Sequence, residues 1–349
     1  MISNSAYKGS PIGVLPINPR NRNRIGDELQ PVGTYADVNP YQLTIQDIEA
    51  VQDHERAAPD FKDKDWWWDH QSIRFLNGKL GFKFLVLAIP FAWITTLVVG
   101  GLALAVSSVV RLTEFYELPA SLYLVLLATL VPGWLIFSLW IVRPTTNWIM
   151  SKGIAVLIRP FEKVLNKKLD ETLEDGCSEF NRTNGKVRFA LGRGRIFEAP
   201  FVEFDAYVER IVQQGGIFYR LMLVHRYTQR IFNKTSISSI EAEKSEVLAL
   251  WDMLQRYMDV TQPLPDVPRL EPFRHLDPVT REHDEKTGRN PRYWRDLDIE
   301  AWKHGGGVEL LNRLRSYPWG SRVCKLTPQL GKVSLEEYRG MRPEGAWPI

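Results

Sequence analysis

The chain has 349 residues, enough for two ordinary domains, and 44 Lys and Arg nearly balance 41 Asp and Glu, leaving a net charge of +3. That balance excludes the strongly basic face of a dedicated nucleic-acid binder. Two cysteines far apart, Cys177 and Cys324, exclude a disulfide scaffold and a cysteine-rich zinc module, and read as reduced cytoplasmic thiols.

Residues 1–60 are expected to be mostly disordered, because residues 1–40 are rich in Pro, Asn, Gly and Arg without apolar periodicity. Arg20, Arg22 and Arg24 read as a solvated tail, and one short helix is expected around residues 44–52. No apolar core lies between Met1 and Gln30, so no cleavable signal peptide is expected. Residues 61–83 form a juxtamembrane aromatic and basic segment containing Trp66, Trp67, Trp68, Lys79 and Lys83. The three tryptophans fit an aromatic belt at a membrane interface; packing on a soluble domain accounts for them equally well.

Residues 84–110 and 118–142 carry no charged side chain. About 20 helical residues cross a hydrocarbon core, so both runs are long enough to span it. Pro90 and Pro132 are tolerated in such helices. Gly100, Gly101, Ala103, Ala105, Ser107 and Ser108 suit close packing of one span on the other. The short connection, residues 111–117, predicts a tight antiparallel hairpin. Lys62, Lys64, Arg74, Lys79 and Lys83 precede it, and Arg143, Lys152, Arg159, Lys163, Lys167 and Lys168 follow it, whereas the connection carries only Arg111. Basic residues stay on the cytoplasmic side, so both termini are expected there.

Residues 143–175 read as an amphipathic basic connector. Ile154, Leu157, Ile158, Phe161, Val164, Leu165 and Leu169 recur at helical spacing, with Lys163, Lys167 and Lys168 off the stripe. Such a helix suits an anionic leaflet or the flank of the next domain.

Residues 176–260 switch to period two. Val187, Phe189 and Leu191 alternate with Lys186, Arg188 and Ala190, after an Asn184-Gly185 turn that would need positive φ at both positions. Further turns at Gly192-Arg193-Gly194 and Gly215-Gly216 bound strand candidates at residues 196–201, 204–211, 217–226 and 230–235. Ser238 with Glu241 predicts a capping box opening a helix whose stripe is Val247, Leu250, Trp251, Leu254, Tyr257 and Met258. Pro263, Pro265 and Pro268 then break the chain, and residues 261–349 read as a loop-rich extension with one modest helix at Leu310, Leu311 and Leu314. The expected fold class is therefore α+β. A two-helix transmembrane hairpin precedes a cytoplasmic antiparallel β-meander or barrel, closed by a long helix in a pleckstrin-homology-like order. That analogy of order predicts no function.

Motifs for phosphate-binding loops, nucleophile elbows and zinc proteases are missing from the sequence. His275, Asp277, His283 and Asp284 form a local cluster, but its spacing matches no zinc pattern, so no metal or other cofactor is expected. His225, alternating within a strand, reads as structural. Neither apolar run carries an ionisable group that would relay ions or protons. Trp, Tyr and Arg dominate interface energetics. The expected partner-binding anchors are accordingly Tyr293, Trp294 and Arg295, behind Pro291, and then Trp319; packing on the domain beneath is their alternative.

Several segments resemble an uncharacterised family of two-pass bacterial membrane proteins. They are Phe180-Asn-Arg-Thr-Asn-Gly-Lys-Val187, Trp251-Asp-Met-Leu-Gln-Arg-Tyr-Met258, Phe273-Arg-His-Leu-Asp-Pro-Val-Thr280 and Thr287-Gly-Arg-Asn-Pro-Arg-Tyr-Trp-Arg-Asp296. The resemblance covers roughly residues 65–300, and departs at Asp259, where a Gly-Pro turn would be expected. Members are often encoded beside type VI secretion spike and toxin genes in Gram-negative bacteria. The resemblance implies a non-enzymatic accessory of such a toxin, either immunity protein or adaptor, in the inner membrane, with the toxin or spike protein as partner. A membrane-anchored module for lipid or another envelope protein is the alternative.

Overall fold

The computed structural model describes residues 2–18, 26–29, 33–61, 66–76, 90–116, 119–148, 177–192, 194–213, 215–232 and 240–349. They divide into two units: Met1–Gly78 with Asp175–Ile349, and Lys79–Glu174.

The second unit is a helical hairpin. Helix α2 covers Pro90–Phe115, with a π-helical stretch at Thr96–Gly100, and α3 covers Ala120–Trp148. Both are long and apolar enough to cross a membrane, and only 6% of each apolar window is buried. The Trp93 indole donates to Thr145 Oγ1 at 3.1 Å, and the Trp134 indole to the Leu97 carbonyl at 3.2 Å. The start of α2 therefore meets the end of α3, as an antiparallel pair requires. The Leu97 carbonyl lies in the π-helical stretch, where wider winding disturbs the usual hydrogen-bond ladder. Gly101 lies so close to the Trp134 ring that a Cβ would overlap it. Helix α2 runs through Arg111 and Glu114, which the sequence places in the connection. Nothing in Arg-Leu-Thr-Glu-Phe breaks a helix; the first breaker is Pro119. Charge marks the edge of the apolar run, not the end of the helix.

The first unit is built from both flanks of that hairpin. Strands β1 (Asp27–Leu29), β6 (Phe204–Gln213), β7 (Gly216–His225) and β8 (Ile231–Phe232) form one antiparallel sheet in the order β1-β6-β7-β8. Strands β2 (Ser72–Leu76), β3 (Cys177–Asn181), β4 (Lys186–Gly192) and β5 (Arg195–Pro200) form the other, in chain order. These are two separate four-stranded sheets, not a closed barrel. Each is completed by a strand from before the hairpin, which a meander read from residue 176 onward omits. A 3-10 corner at Phe201–Glu203 carries the chain from one sheet to the other.

Helix α4 (Lys244–Met258) is buried on every side from Glu246 to Met258. Its stripe meets the inward residues of both sheets: Ile73, Phe180, Val187, Phe189, Phe197, Phe204, Ala206, Leu221 and Leu223. Two-residue spacing within each strand puts these side chains on one face. Ser238 of the expected capping box lies outside the described residues. The helix starts at Lys244, while Glu241 makes an antiparallel bridge with Tyr219. The β3–β4 turn also differs from expectation. Gly185 is left-handed at φ 69, and Asn184 is not among the positive-φ residues. Strand pairing resumes at Asn181 with Lys186, so the loop has four residues and needs one left-handed position at its end.

Segments expected to be disordered pack into this unit. Tyr7 and Leu15 are buried, the Val260 N–H donates to the Tyr7 carbonyl at 3.1 Å, and Leu15 bridges Leu330. Isolated apolar residues filling gaps leave no period to read. The helix expected at residues 44–52 is α1, Tyr41–Ala57, which buries Thr44, Asp47, Ile48 and Val51. The extension is less loop-rich than expected. It contains α5 (Pro278–Thr287), α6 (Ile299–His304), α7 (Gly306–Ser316) and α8 (Leu335–Met341). Short side-chain caps hold three of them, at Asp277, Asp298 and a Ser334–Glu337 capping box.

Candidate functional site

The predicted anchors come together with α1 but are mostly consumed by the fold. Trp294 is only 7% exposed and packs with Ile48 and Trp302. Its indole donates to Asp266 at 2.8 Å and its backbone N–H to Glu271 at 3.0 Å. Arg295 bridges buried Glu271 and Glu55. Burial alone would raise the Asp266 carboxyl; hydrogen bonds and charge from Arg289 and Arg274 outweigh it and hold it below the ordinary range. This loop is a clamp between the extension and α1, and Trp294 is not an exposed anchor. Tyr293 alone keeps substantial exposure, at 39%. Trp319 is half-buried against α7, its indole donating to the Leu314 carbonyl at 3.0 Å.

The interfacial belt is likewise internal to the first unit. Trp66 packs on Val51 and Phe61 and donates to the Arg269 carbonyl at 3.3 Å. Trp68 is buried in the main core under the Arg269 guanidinium, and Trp67 packs against its margin. Indole N–H groups that find carbonyl partners inside a domain bury at little cost. Arg143 lies in the last turns of α3. Lys79, Lys83, Lys163, Lys167, Lys168 and the amphipathic connector lie outside the described residues.

A polar centre that sequence reasoning missed lies at the sheet corner. Glu203 is fully buried. It accepts from Arg342 at 2.6 and 2.7 Å and contacts His225 Nε2 at 2.7 Å. His225 Nδ1 meets the Thr228 hydroxyl at 2.9 Å. Beside it, Asp205 receives a bidentate Arg226. Burial would raise the Glu203 carboxyl, but hydrogen bonds from His225 and Arg342 hold it below its ordinary range. Burial lowers His225 despite that carboxylate. The arrangement is a buried anion whose charge is met by an arginine from the far end of the chain. Phe197 adjoins it, with Trp347 at 4.9 Å and Arg230 over both rings. Glu203 and Arg342 are too distant in sequence for any spacing pattern to join them.

Arg182, in the β3–β4 turn, is a second buried cation. It donates to the carbonyls of Arg256, Tyr257, Asp259 and Gln262, and lies 3.5 Å from Asp277. It thus caps the orphan carbonyls at the end of α4. An open cleft of about 200 Å³ lies between the segment around Tyr7, Gly185 and Pro200, with Lys8 the one charged residue lining it among the described residues. Among the described residues no group of His, Cys, Asp and Glu is placed to hold a metal. Comparison of the chain with models of known families, with curated proteins and with solved structures yields no match.

Proposed function

We propose that this chain is a two-pass protein of a bacterial inner membrane, with both flanks cytoplasmic, that acts by binding protein rather than by catalysis. The observation carrying the membrane reading is the pair α2 and α3, whose length, apolar composition and lack of cover suit a hydrocarbon solvent. That residues from both flanks assemble into one unit supports both lying on one side of that membrane, the side to which two crossings would return the chain. The basic residues flanking the hairpin favour the cytoplasm for that side.

The partner we propose is a type VI secretion toxin or spike protein, on the motif resemblance at residues 180–187, 251–258, 273–280 and 287–296. From the cytoplasm the chain suits an adaptor that holds the toxin before loading. It also suits immunity against a toxin acting in the cytoplasm or bilayer. Alkaline phosphatase fused between Tyr116 and Pro119 should be active, and the same enzyme fused after Ile349 inactive; the reverse pattern refutes the topology. Capture with the full chain in detergent should recover the product of an adjacent toxin or spike gene, and consistent recovery of none refutes the accessory role.

A further inference from the structure

The last residues of the chain lie on the polar centre as a peptide ligand would. Four contacts hold them. Arg342 inserts its guanidinium onto the buried Glu203 carboxylate at 2.6 and 2.7 Å. The Trp347 ring lies 4.9 Å from Phe197, tilted by 32°, and 5.0 Å from the Arg230 guanidinium. The Trp347 N–H donates to the Glu198 carbonyl at 2.7 Å, a main-chain bond on the outer edge of β5. Lys186 adds a 3.0 Å bond to the Glu344 carbonyl. Strand β5 is the last in its sheet, so its outer edge has no further strand among the described residues. The segment turns between Pro343 and Ala346 and meets the open strand edge through one main-chain bond, so the charge pocket and the aromatic shelf carry most of the recognition. Bidentate arginine on carboxylate gives that recognition direction as well as strength.

We propose that the β5 edge, Glu203 and the Phe197–Arg230 shelf form a peptide-binding groove that residues 342–349 occupy as an intramolecular stand-in. The partner it fits is a segment of another protein that carries an arginine, turns as residues 343–346 do through left-handed Gly345, and presents a tryptophan or similar aromatic five residues on. The seated segment shows the chemistry: a cation for a buried anion, and a flat ring for an aromatic–guanidinium shelf. This rests on the protein-binding reading above, but its test needs neither a membrane readout nor a toxin.

The experiment uses the full chain in detergent with a specific protease site inserted between Met341 and Arg342, so that the protein folds before it is nicked. The probe is a fluorescein-labelled peptide of residues 340–349. After cleavage, the nicked chain should take up the peptide and release its own segment, while the uncut chain binds about tenfold or more weakly because the groove is filled. Peptides carrying Arg342→Ala or Trp347→Ala should bind about tenfold more weakly than the parent, the scale of one charged or aromatic contact. A second variant, Trp347→Ala in the uncut chain, should bind the peptide carrying Arg342→Ala more tightly than the unsubstituted uncut chain does, because the shelf is free for the peptide's tryptophan while the chain's own Arg342 stays on Glu203. Three results overturn the proposal. They are a folded nicked chain that takes up no peptide, loss of the native melt on nicking, and equal binding of the parent and substituted peptides. A dimer formed by exchange of this segment between uncut chains would overturn the assignment to a partner protein.

Discussion

Gly185 and Gly194 have nearly the same backbone, φ 69 and φ 68, but different surroundings, so alanine at each separates backbone strain from packing. A Cβ in the left-handed region costs roughly 1–2 kcal/mol by crowding its own carbonyl. At Gly194 nothing lies within 4 Å of the added carbon, so the cost ends there. At Gly185 the carbon would fall 2.5 Å from the Ser5 carbonyl oxygen and 2.7 Å from the Tyr7 nitrogen. Both are backbone, so the segment around Tyr7 must lift. Lifting it strains the 2.9 Å bond from Ser3 to Thr183, the 2.9 Å bond from Ser5 to Asn184 and the 3.1 Å bond from Val260 to Tyr7. It also begins to expose the buried Tyr7 ring. A net hydrogen bond contributes about 1 kcal/mol and a buried aromatic about 2 kcal/mol. With partial retention, Gly185→Ala should cost roughly 2–4 kcal/mol beyond Gly194→Ala. Thermal unfolding of the full chain in micelles, followed by tryptophan fluorescence, should place the Gly185→Ala midpoint roughly 5–15 °C below that of Gly194→Ala. Equal midpoints would refute the packing of residues 3–7 against this turn.

Three further outcomes follow from named contacts. Arg182→Met should destabilise by about 3–5 kcal/mol, since it strands several helix-end carbonyls and leaves Asp277 with less countercharge; a melt matching that of exposed Arg210→Met would contradict the capping role. Glu246 is buried on α4, accepts the Gln42 N–H at 3.4 Å, and burial raises its carboxyl from 4.5 to about 7. The folded state therefore holds that proton more tightly than the unfolded one, so stability falls as pH rises from about 4.5 through 7. Glu246→Gln should flatten that fall by about 2 kcal/mol between pH 5 and 8 in denaturant titrations; an unchanged slope would remove Glu246 as its source. Leu76 faces Cys177 in register, and the bond from the Arg182 N–H to the Gln71 carbonyl makes theirs a non-hydrogen-bonded pair, the closer kind. With Cys324→Ser, mild oxidation of Leu76→Cys should therefore give an intrachain disulfide in peptide mass maps, and only interchain products would disprove the register.

What was legible in the sequence was local. Apolar runs without charge gave the two long helices, and Gly185, Gly194 and Gly216 punctuated strands whose inward residues alternate. The stripe of α4 was readable too, because Val247, Leu250, Trp251, Leu254 and Tyr257 keep helical spacing. What could not be read depends on distant partners. Trp294 looks like a loop aromatic until Ile48 and Trp302 close over it. Trp66 and Trp68 look interfacial because a nearby apolar run biases the reading, whereas Val51, Phe61 and Ile73 supply an apolar site inside the domain. Glu203 needs Arg342, and Arg182 needs the end of α4; such ion pairs leave no periodic trace.

The pairing of β2 with β3 joins these observations. Leu76 and Cys177 are neighbours in the sheet, yet residues 77–176 lie between them in the chain. Closing a loop that long costs about 3 kcal/mol more entropy than closing a two-residue turn, if the loop is flexible. An antiparallel helix pair is not flexible: Trp93 touches Thr145, so the chain leaves and re-enters at one end of the hairpin. Formation of the hairpin therefore removes much of the closure cost for the sheet. By the same connection, residues 176–349 alone lack β1, β2, α1 and the buried Tyr7 and Leu15, and expose the apolar surfaces these cover. Such a fragment would be adhesive for reasons unrelated to its partner. Capture experiments on this protein are meaningful only with the whole chain, in which both flanks of the hairpin complete the two sheets.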